Sequence, residues 1–191
     1  AAINVMTTWA VMGDWKADRG IDPTTEYGKA IEASRRARAI NPASTTLLDN
    51  LAGTHAALGE WISEHDGDPT AAFEGALVAY REVLTIDARC IEAYRGRADV
   101  LRRRGEWKHR AEDDPTTDWQ DALTDLVRAR ALKPDDASVE RLTGGLYHRM
   151  GERKESKGED PREEWRQALD WLGKSIAHDP SSAPGRVNEA T

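Results

Sequence analysis

The side chains of this sequence that could do chemistry do not form a catalytic or metal-binding motif. Its five histidines stand apart, at His55, His65, His109, His148 and His178. None has the His-Glu-x-x-His spacing of a zinc site, and neither a phosphate-binding glycine loop nor a nucleophile elbow occurs. Cys90 is the single cysteine, so no pair of thiols can form. We therefore expect no catalytic residue, no metal ion and no cofactor, and we predict that the chain is not an enzyme.

The elements that must position any binding side chains are indicated by a period of 46 residues. Asp-Pro pairs begin at residues 22, 68, 114 and 160, and glycine recurs at the same interval, as Gly13, Gly59, Gly105 and Gly151. A fixed period of this length is typical of stacked repeats. We predict one array over residues 1–191. Its repeats are 1–44, 45–90, 91–136 and 137–182, and residues 183–191 would be the remnant of a following element.

Each repeat has the pattern of two amphipathic helices. In the second repeat, apolar side chains recur at intervals of three and four residues over 47–62 and again over 72–84. Asp68 can cap the second helix, and Pro69 suits its first turn. We predict that Asp68 accepts a bond from a backbone N–H two or three residues on. The equivalent residues are Asp22, Asp114 and Asp160.

These repeats resemble the tetratricopeptide repeat (TPR) family. The matching residues of the second repeat are Leu48, Leu51, Ala52, His55, Gly59-Glu60-Trp61, Ala76-Leu77, Tyr80 and Val83. Those of the third are Tyr94, Ala98, Leu101, Gly105-Glu106-Trp107, Ala122-Leu123, Leu126, Ala129 and Pro134. The resemblance implies an all-α fold, a right-handed superhelix of four antiparallel helical hairpins, and a noncatalytic role as a scaffold for protein–protein interaction.

The repeats are longer than the usual TPR of about 34 residues, and the extra length of about 12 residues falls between the two helices. We predict that both helices of each hairpin are extended at the tip. Trp61 and Phe73 lie six residues either side of Gly67, so we expect their rings to meet. The equivalent pairs are Trp15 with Tyr27, Trp107 with Trp119 and, as a cation–π contact, Arg153 with Trp165.

The repeated glycines fall inside the extended first helices, where each costs about 1 kcal/mol relative to alanine. Close approach of a neighbouring helix is one explanation, and a kink at the glycine is the other. The sequence leaves both open.

In TPR arrays the first helices line a concave groove, so the resemblance assigns residues to that surface. In the first two repeats they are small and carry little charge: Ile3, Thr7, Ala10, Val11, Thr46, Asp49, Gly53, Ala56 and Ala57. In the last two they include the predicted partner-binding residues Arg95, Arg102, Arg103, Arg141, His148 and Arg149. Guanidinium groups suit carboxylates because they bond them bidentately, so we predict an acidic peptide as the ligand. The open alternative is that these arginines pair with Glu92, Asp99 and other acids of the array.

One known TPR specificity is not supported. The TPR proteins that grip the terminal carboxylate of chaperone tails use lysine and asparagine side chains on successive first helices. The corresponding residues here are Ile3, Thr7, Asn50, Glu92 and Gly96, and only Asn50 matches.

Two further functions stay open. The repeats look like those appended to large bacterial signalling proteins such as serine/threonine kinases, so the array could be the regulatory part of a larger enzyme. Residues 1–12 are largely apolar, and Trp165, Trp171 and Leu172 give the last hairpin an apolar face. The array could therefore also stack end to end as a homo-oligomer through its terminal helices.

Composition narrows the classes of partner. Lysine and arginine number 27 against 34 aspartate and glutamate, and the formal charge of −7 argues against nucleic acid. No apolar stretch approaches the roughly 20 residues of a membrane-spanning helix, so we expect no membrane partner. There is no signal-peptide pattern, and the lone Cys90 fits a reducing compartment. We predict a cytoplasmic protein whose partner is a protein or a peptide.

Overall fold

A computed structural model describes residues 2–180, and this part of the chain folds into helices and the turns between them. The eight helices are α1 (Ala2–Ala17), α2 (Thr24–Ile40), α3 (Thr45–Glu64), α4 (Thr70–Ile86), α5 (Ile91–Arg110), α6 (Thr116–Leu132), α7 (Ala137–Ser156) and α8 (Arg162–His178). They form four hairpins, α1–α2, α3–α4, α5–α6 and α7–α8, which pack mainly on their neighbours in the chain. The prediction of an all-α array of four helical hairpins is confirmed. The expected remnant at 183–191 lies outside the described residues.

The first helices run past the repeated glycines. Each of α3, α5 and α7 is 20 residues long and continues beyond Gly59, Gly105 or Gly151 before the chain turns. The tips are therefore helical, as predicted from the length of the repeat. None of the helices in the described part is both long and apolar enough to cross a membrane.

The glycines are explained by the aromatic rings of the second helices. A Cβ atom on Gly59 would lie 2.6 Å from Cδ1 of Phe73, and one on Gly13 would lie 2.5 Å from Cε1 of Tyr27. Trp119 and Trp165 approach the two later glycines in the same way. Each ring packs directly on the backbone of the first helix, in a space that a side chain would fill. The close approach of a neighbouring helix therefore accounts for these glycines.

The prediction that the two aromatic rings of each hairpin tip pack on each other is wrong. Phe73 packs on Gly59, whereas the Trp61 ring stacks on His65 with a centroid separation of 3.8 Å. Trp61 also lines a pocket with Tyr27 of the preceding hairpin. The reason is the helical turn, because residues two apart point about 200° away from each other. A residue two beyond the glycine therefore faces away from the second helix of its own hairpin.

Arg153 shows the same displacement. Its guanidinium donates to Asp114 at 2.7 Å and to the Thr116 hydroxyl at 2.6 Å, both in the preceding hairpin. The ring of Trp165 packs instead on Gly151. The predicted cation–π contact between Arg153 and Trp165 is therefore replaced by an ion pair between hairpins.

The Asp-Pro pairs start the second helices. Asp68 accepts a 2.9 Å bond from the backbone N–H of Thr70, two residues on. The same bond joins Asp22 to Thr24, Asp114 to Thr116 and Asp160 to Arg162. The predicted bond is confirmed in all four repeats, although Pro69 and its equivalents, rather than the aspartates, stand at the helix boundary. Hydrogen bonds from Thr70 hold the pKa of Asp68 below its ordinary value.

Three hairpins close their tips with an ion pair between a lysine and an acid. The pairs are Lys16–Glu26 at 2.7 Å, Lys108–Asp118 at 3.1 Å and Lys154–Glu164 at 2.7 Å. In the second hairpin Ile62 and Ala72 occupy the equivalent positions. Two different chemistries therefore fill the same place in the repeat, and both members of the pair change together.

Candidate functional site

The first helices form the inner layer of the array. Neighbouring first helices contact one another, α1 with α3, α3 with α5 and α5 with α7, while each second helix packs on its own hairpin and on the next first helix. An array built this way curves toward the layer whose helices lie closest together. Those exposed side chains of α1, α3, α5 and α7 that lie on the inner side of this layer therefore line the concave groove.

One row of acids runs along this groove and was not predicted from the sequence. It follows the repeated glycines directly and consists of Asp14, Glu60, Glu106 and Glu152, which we call the acid row. Successive helical residues point about 100° apart, so the acid is turned away from the aromatic ring that covers the glycine. The signal was present in the sequence, because an acid follows the repeated glycine in every copy.

The acid row binds two of the predicted arginines on α5. Arg102 donates to Glu106 at 2.6 Å, and Arg103 forms an ion pair with Glu60 of the preceding hairpin. Both also bond Asp99, at 2.7 and 2.8 Å. Burial raises the pKa of Asp99, but the two guanidinium groups outweigh burial and bring this pKa below its ordinary value. These five side chains form a network internal to the array.

Two predicted residues on α7 are held in the same way. Arg149 donates to Glu106 at 2.9 Å and to Glu152 at 2.8 Å. The Nε2 atom of His148 lies 3.4 Å from Glu152. Internal pairing, the alternative that the sequence left open for the arginines, therefore describes Arg149 and the two arginines of α5.

Arg95 and Arg141 differ from the other four. They stand at the same position of the repeat, on α5 and α7, and neither makes a hydrogen bond or an ion pair within residues 2–180. Both line an open pocket of about 530 Å³ in the groove. Glu92 and Ser138 lie on its wall, and Arg102 and Arg103 of the network also line it. Two guanidinium groups thus face the groove without a carboxylate bound to them.

Asp49 occupies the same repeat position on α3 and lines the same pocket. Burial raises its pKa, and the negative charge of Glu92 raises it further, against a smaller opposing effect of Arg95. With Ile3 of α1, these residues form a second line across the four first helices. We call Ile3, Asp49, Arg95 and Arg141 the central row.

The first half of the groove has a different lining. Several of its residues are small or uncharged, as predicted: Ile3, Thr7, Ala10, Val11, Gly53, Ala56 and Ala57. Near the tips it holds a pocket of about 360 Å³ whose wall includes Asp14, Asp18 and Glu64. The Tyr27 hydroxyl donates to Asp14 at 2.9 Å there. Arginine is thus concentrated in the second half of the groove.

Over residues 2–180, no three His, Cys, Asp or Glu side chains come together in a way that could hold a metal ion.

Comparison with solved structures identifies the architecture. The chain is similar to the crystal structure of MamA, with 21% sequence identity over 88% of this chain and 74% of that one and a TM-score of 0.52. It is also similar to a thermophilic TPR protein of Thermus thermophilus, with 18% identity over 90% and 81% of the two chains and a TM-score of 0.53. No protein-family model matches the sequence, and neither does any curated protein. The likeness confirms the predicted TPR superhelical fold.

Proposed function

We propose that this chain is a noncatalytic scaffold that binds an acidic segment of a partner protein in the second half of its concave groove. The observation that carries the proposal is the pair Arg95 and Arg141, which face a groove pocket of about 530 Å³ without a hydrogen bond or ion pair inside the described part. An exposed groove built from the TPR fold suits the binding of a protein segment.

The six predicted residues divide into two roles. Arg95 and Arg141 are the ligand-binding groups, because their guanidinium forks are available for bidentate bonds to carboxylates. Each hydrogen bond to a charged group contributes about 1.5–3 kcal/mol net. Arg102, Arg103 and Arg149 are bonded to acids of the array, His148 lies beside Glu152, and Arg102 and Arg103 form part of the pocket wall.

Fluorescence anisotropy with a labelled glutamate-rich peptide tests this proposal, with a glutamine-matched peptide as the reference. The double variant Arg95→Glu/Arg141→Glu should lose binding, and binding by the parent should weaken as salt is added. A matched control is Arg35→Glu/Arg166→Glu, which makes the same change of charge at exposed sites on the second helices. Equal binding by the parent and the Arg95/Arg141 variant, with both folded by circular dichroism, would refute the proposal.

End-to-end self-assembly is a second candidate, carried by an exposed apolar face on α8. Leu169 is 72% exposed, whereas Leu77, at the equivalent position of the second hairpin, is 5% exposed beneath the next hairpin. On α1, Val5 and Met12 are also exposed. Light scattering over a dilution series should show oligomers of the parent protein, and the Leu169→Glu variant should be monomeric. A monomer at every concentration would eliminate this candidate.

The third candidate, that the array is the regulatory part of a larger enzyme such as a bacterial kinase, stays a prediction. The sequence of the full-length gene tests it directly, because a catalytic domain would carry its own motifs.

A further inference from the structure

The central row carries information about the order of charges in the ligand. Asp49, Arg95 and Arg141 stand at one repeat position on three neighbouring helices, α3, α5 and α7. All three line the same pocket, and none forms a hydrogen bond or an ion pair with another described residue. Read across the groove, the row therefore presents one negative charge followed by two positive charges.

We infer that the partner segment is extended and carries one basic and two acidic side chains at alternate positions, with the basic residue at the end that lies over Asp49. This inference rests on the proposed function and specifies its ligand. The two acidic side chains bind Arg95 and Arg141. The basic side chain binds Asp49.

The spacing follows from the packing of helices and the geometry of an extended chain. Packed helices lie about 8–10 Å apart. An extended chain advances about 3.3 Å per residue and places every second side chain on the same face, so those side chains are about 7 Å apart. Long, flexible arginine, lysine and glutamate side chains cover the remaining distance. Every second residue of the segment therefore lies over the next helix of the row.

The position of the basic residue follows from the surroundings of Asp49. Glu92 adds a second negative charge on the same wall of the pocket, and its field acts on Asp49. A ligand carboxylate over Asp49 would bring a third negative charge to this place, whereas a lysine would relieve the repulsion. At the centre of the segment, the same lysine would instead lie over Arg95.

The acid row does not offer an equivalent site. Glu60, Glu106 and Glu152 are bonded to Arg103, Arg102 and Arg149, so their charges are already matched within the array. Among the described residues, the central row thus carries charges without a hydrogen-bond or ion-pair partner on α3, α5 and α7, in an order that a ligand can recognise.

Three peptides of identical composition test the inference. Two carry a terminal lysine, Lys-x-Glu-x-Glu and its reverse Glu-x-Glu-x-Lys, because the row fixes the order of the charges and not the direction of the backbone. The third carries a central lysine, Glu-x-Lys-x-Glu. We expect the parent protein to bind the better of the terminal-lysine peptides about tenfold more tightly than the central-lysine peptide. A further peptide, Glu-x-Glu-x-Glu, should bind the parent more weakly than the better terminal-lysine peptide, and Asp49→Arg should reverse this ranking, since the row would then carry three positive charges.

The outcomes separate the inference from the proposed function. Equal affinity for the terminal-lysine and central-lysine peptides, with binding still lost in Arg95→Glu/Arg141→Glu, overturns the charge order and leaves the acidic ligand standing. Binding that survives Arg95→Glu/Arg141→Glu overturns both. An unchanged ranking of peptides in folded Asp49→Arg also overturns the assignment of the basic residue to Asp49.

Discussion

The second and third hairpins have helices of the same lengths, but the side chains between their helices differ. In the second hairpin the interior positions hold Leu51, Leu58, Ile62, Ala72 and Ala79. At the equivalent positions the third hairpin holds Arg97, Arg104, Lys108, Asp118 and Asp125. Five apolar residues are thus replaced by five charged ones, and the helices keep the same lengths.

The charged residues of the third hairpin form ion pairs with each other. Arg97 donates to Asp125 at 2.6 Å and Arg104 to Asp118 at 2.6 Å. The side chains of both aspartates are only 3% exposed. A buried ion pair and a packed apolar pair of similar volume are close in stability, while half of an ion pair is costly. The repeat therefore accepts either chemistry, provided that both partners change together.

The largest effect is expected when one partner of a buried pair is removed. Asp118→Ala leaves Arg104 and Lys108 without their shared carboxylate, so we expect a loss of about 3–5 kcal/mol in the free energy of unfolding. Urea denaturation measures it, and Asp121→Ala, at an exposed site on the same helix, is the control. If the loss is no larger than that of the control, removing one partner of the buried ion pair is not costly, and the proposed constraint is wrong.

The complete exchange should remove most of that loss. The triple variant Arg104→Leu/Lys108→Ile/Asp118→Ala places the residues of the second hairpin in the third. We expect it to be at least about 2 kcal/mol more stable than Asp118→Ala alone, because no buried charge remains unpaired. If urea denaturation finds the triple variant as unstable as the single one, the two hairpins are not interchangeable at this layer.

A smaller effect is expected at the contact between glycine and ring that both hairpins share. A Cβ atom on Gly105 would lie 2.5 Å from Cδ1 of the buried Trp119. We expect Gly105→Ala to lose about 1–3 kcal/mol, measured by urea denaturation, despite the better helix propensity of alanine. Gly53→Ala is the control, because open space surrounds that glycine, and it should gain stability. Similar results for both variants would contradict the role assigned to the ring.

The comparison also singles out His55 in the second hairpin, where the third has Leu101. The Nδ1 atom of His55 is buried without a hydrogen-bond partner among residues 2–180, and burial lowers the pKa of this histidine below 6.5. We expect His55→Leu to gain about 1 kcal/mol. In the parent, protonation favours the unfolded chain, so stability falls as pH drops below about 6.5. Thermal melts of both proteins from pH 7 to pH 5 should show a smaller decrease in the variant.

The smallest effect is expected at His178, where the pH dependence has the opposite sign. Its Nδ1 atom lies 2.8 Å from Glu140, and this hydrogen bond raises the pKa of the histidine above 6.5. The stabilisation is complete below 6.5 and is lost as the pH rises through the raised value. His178→Gln should therefore lower the melting temperature at pH 5.5 more than at pH 8.5. An equal change at both values would mean that the charge of His178 does not stabilise the fold.

The helical hairpins and the starts of the second helices could be predicted from the sequence. Hairpins follow from the apolar periodicity, and the bond to Asp68 follows from the chemistry of Asp-Pro. The partner of Phe73 could not be inferred from distance along the chain, because the rotation of Trp61 about the helix axis decides it. Among the arginines, the pairing of Arg103 with Glu60 joins different repeats, so its prediction requires the superhelix. Arg95 and Arg103 lie on the same helix, and the sequence does not show which of them points toward an acid of a neighbouring hairpin.

The ion pairs that cross between hairpins have a consequence for how the array responds to salt. Arg103 ties α5 to Glu60 on α3, and Arg149 ties α7 to Glu106 on α5, both on the inner side of the curve. Among the described residues, no corresponding pair ties α1 to α3 on that side. The packing between the later hairpins should therefore depend on salt, because added salt weakens the ion pairs on their inner side. The joint between the first two hairpins, which lacks such a pair among the described residues, should depend on salt less.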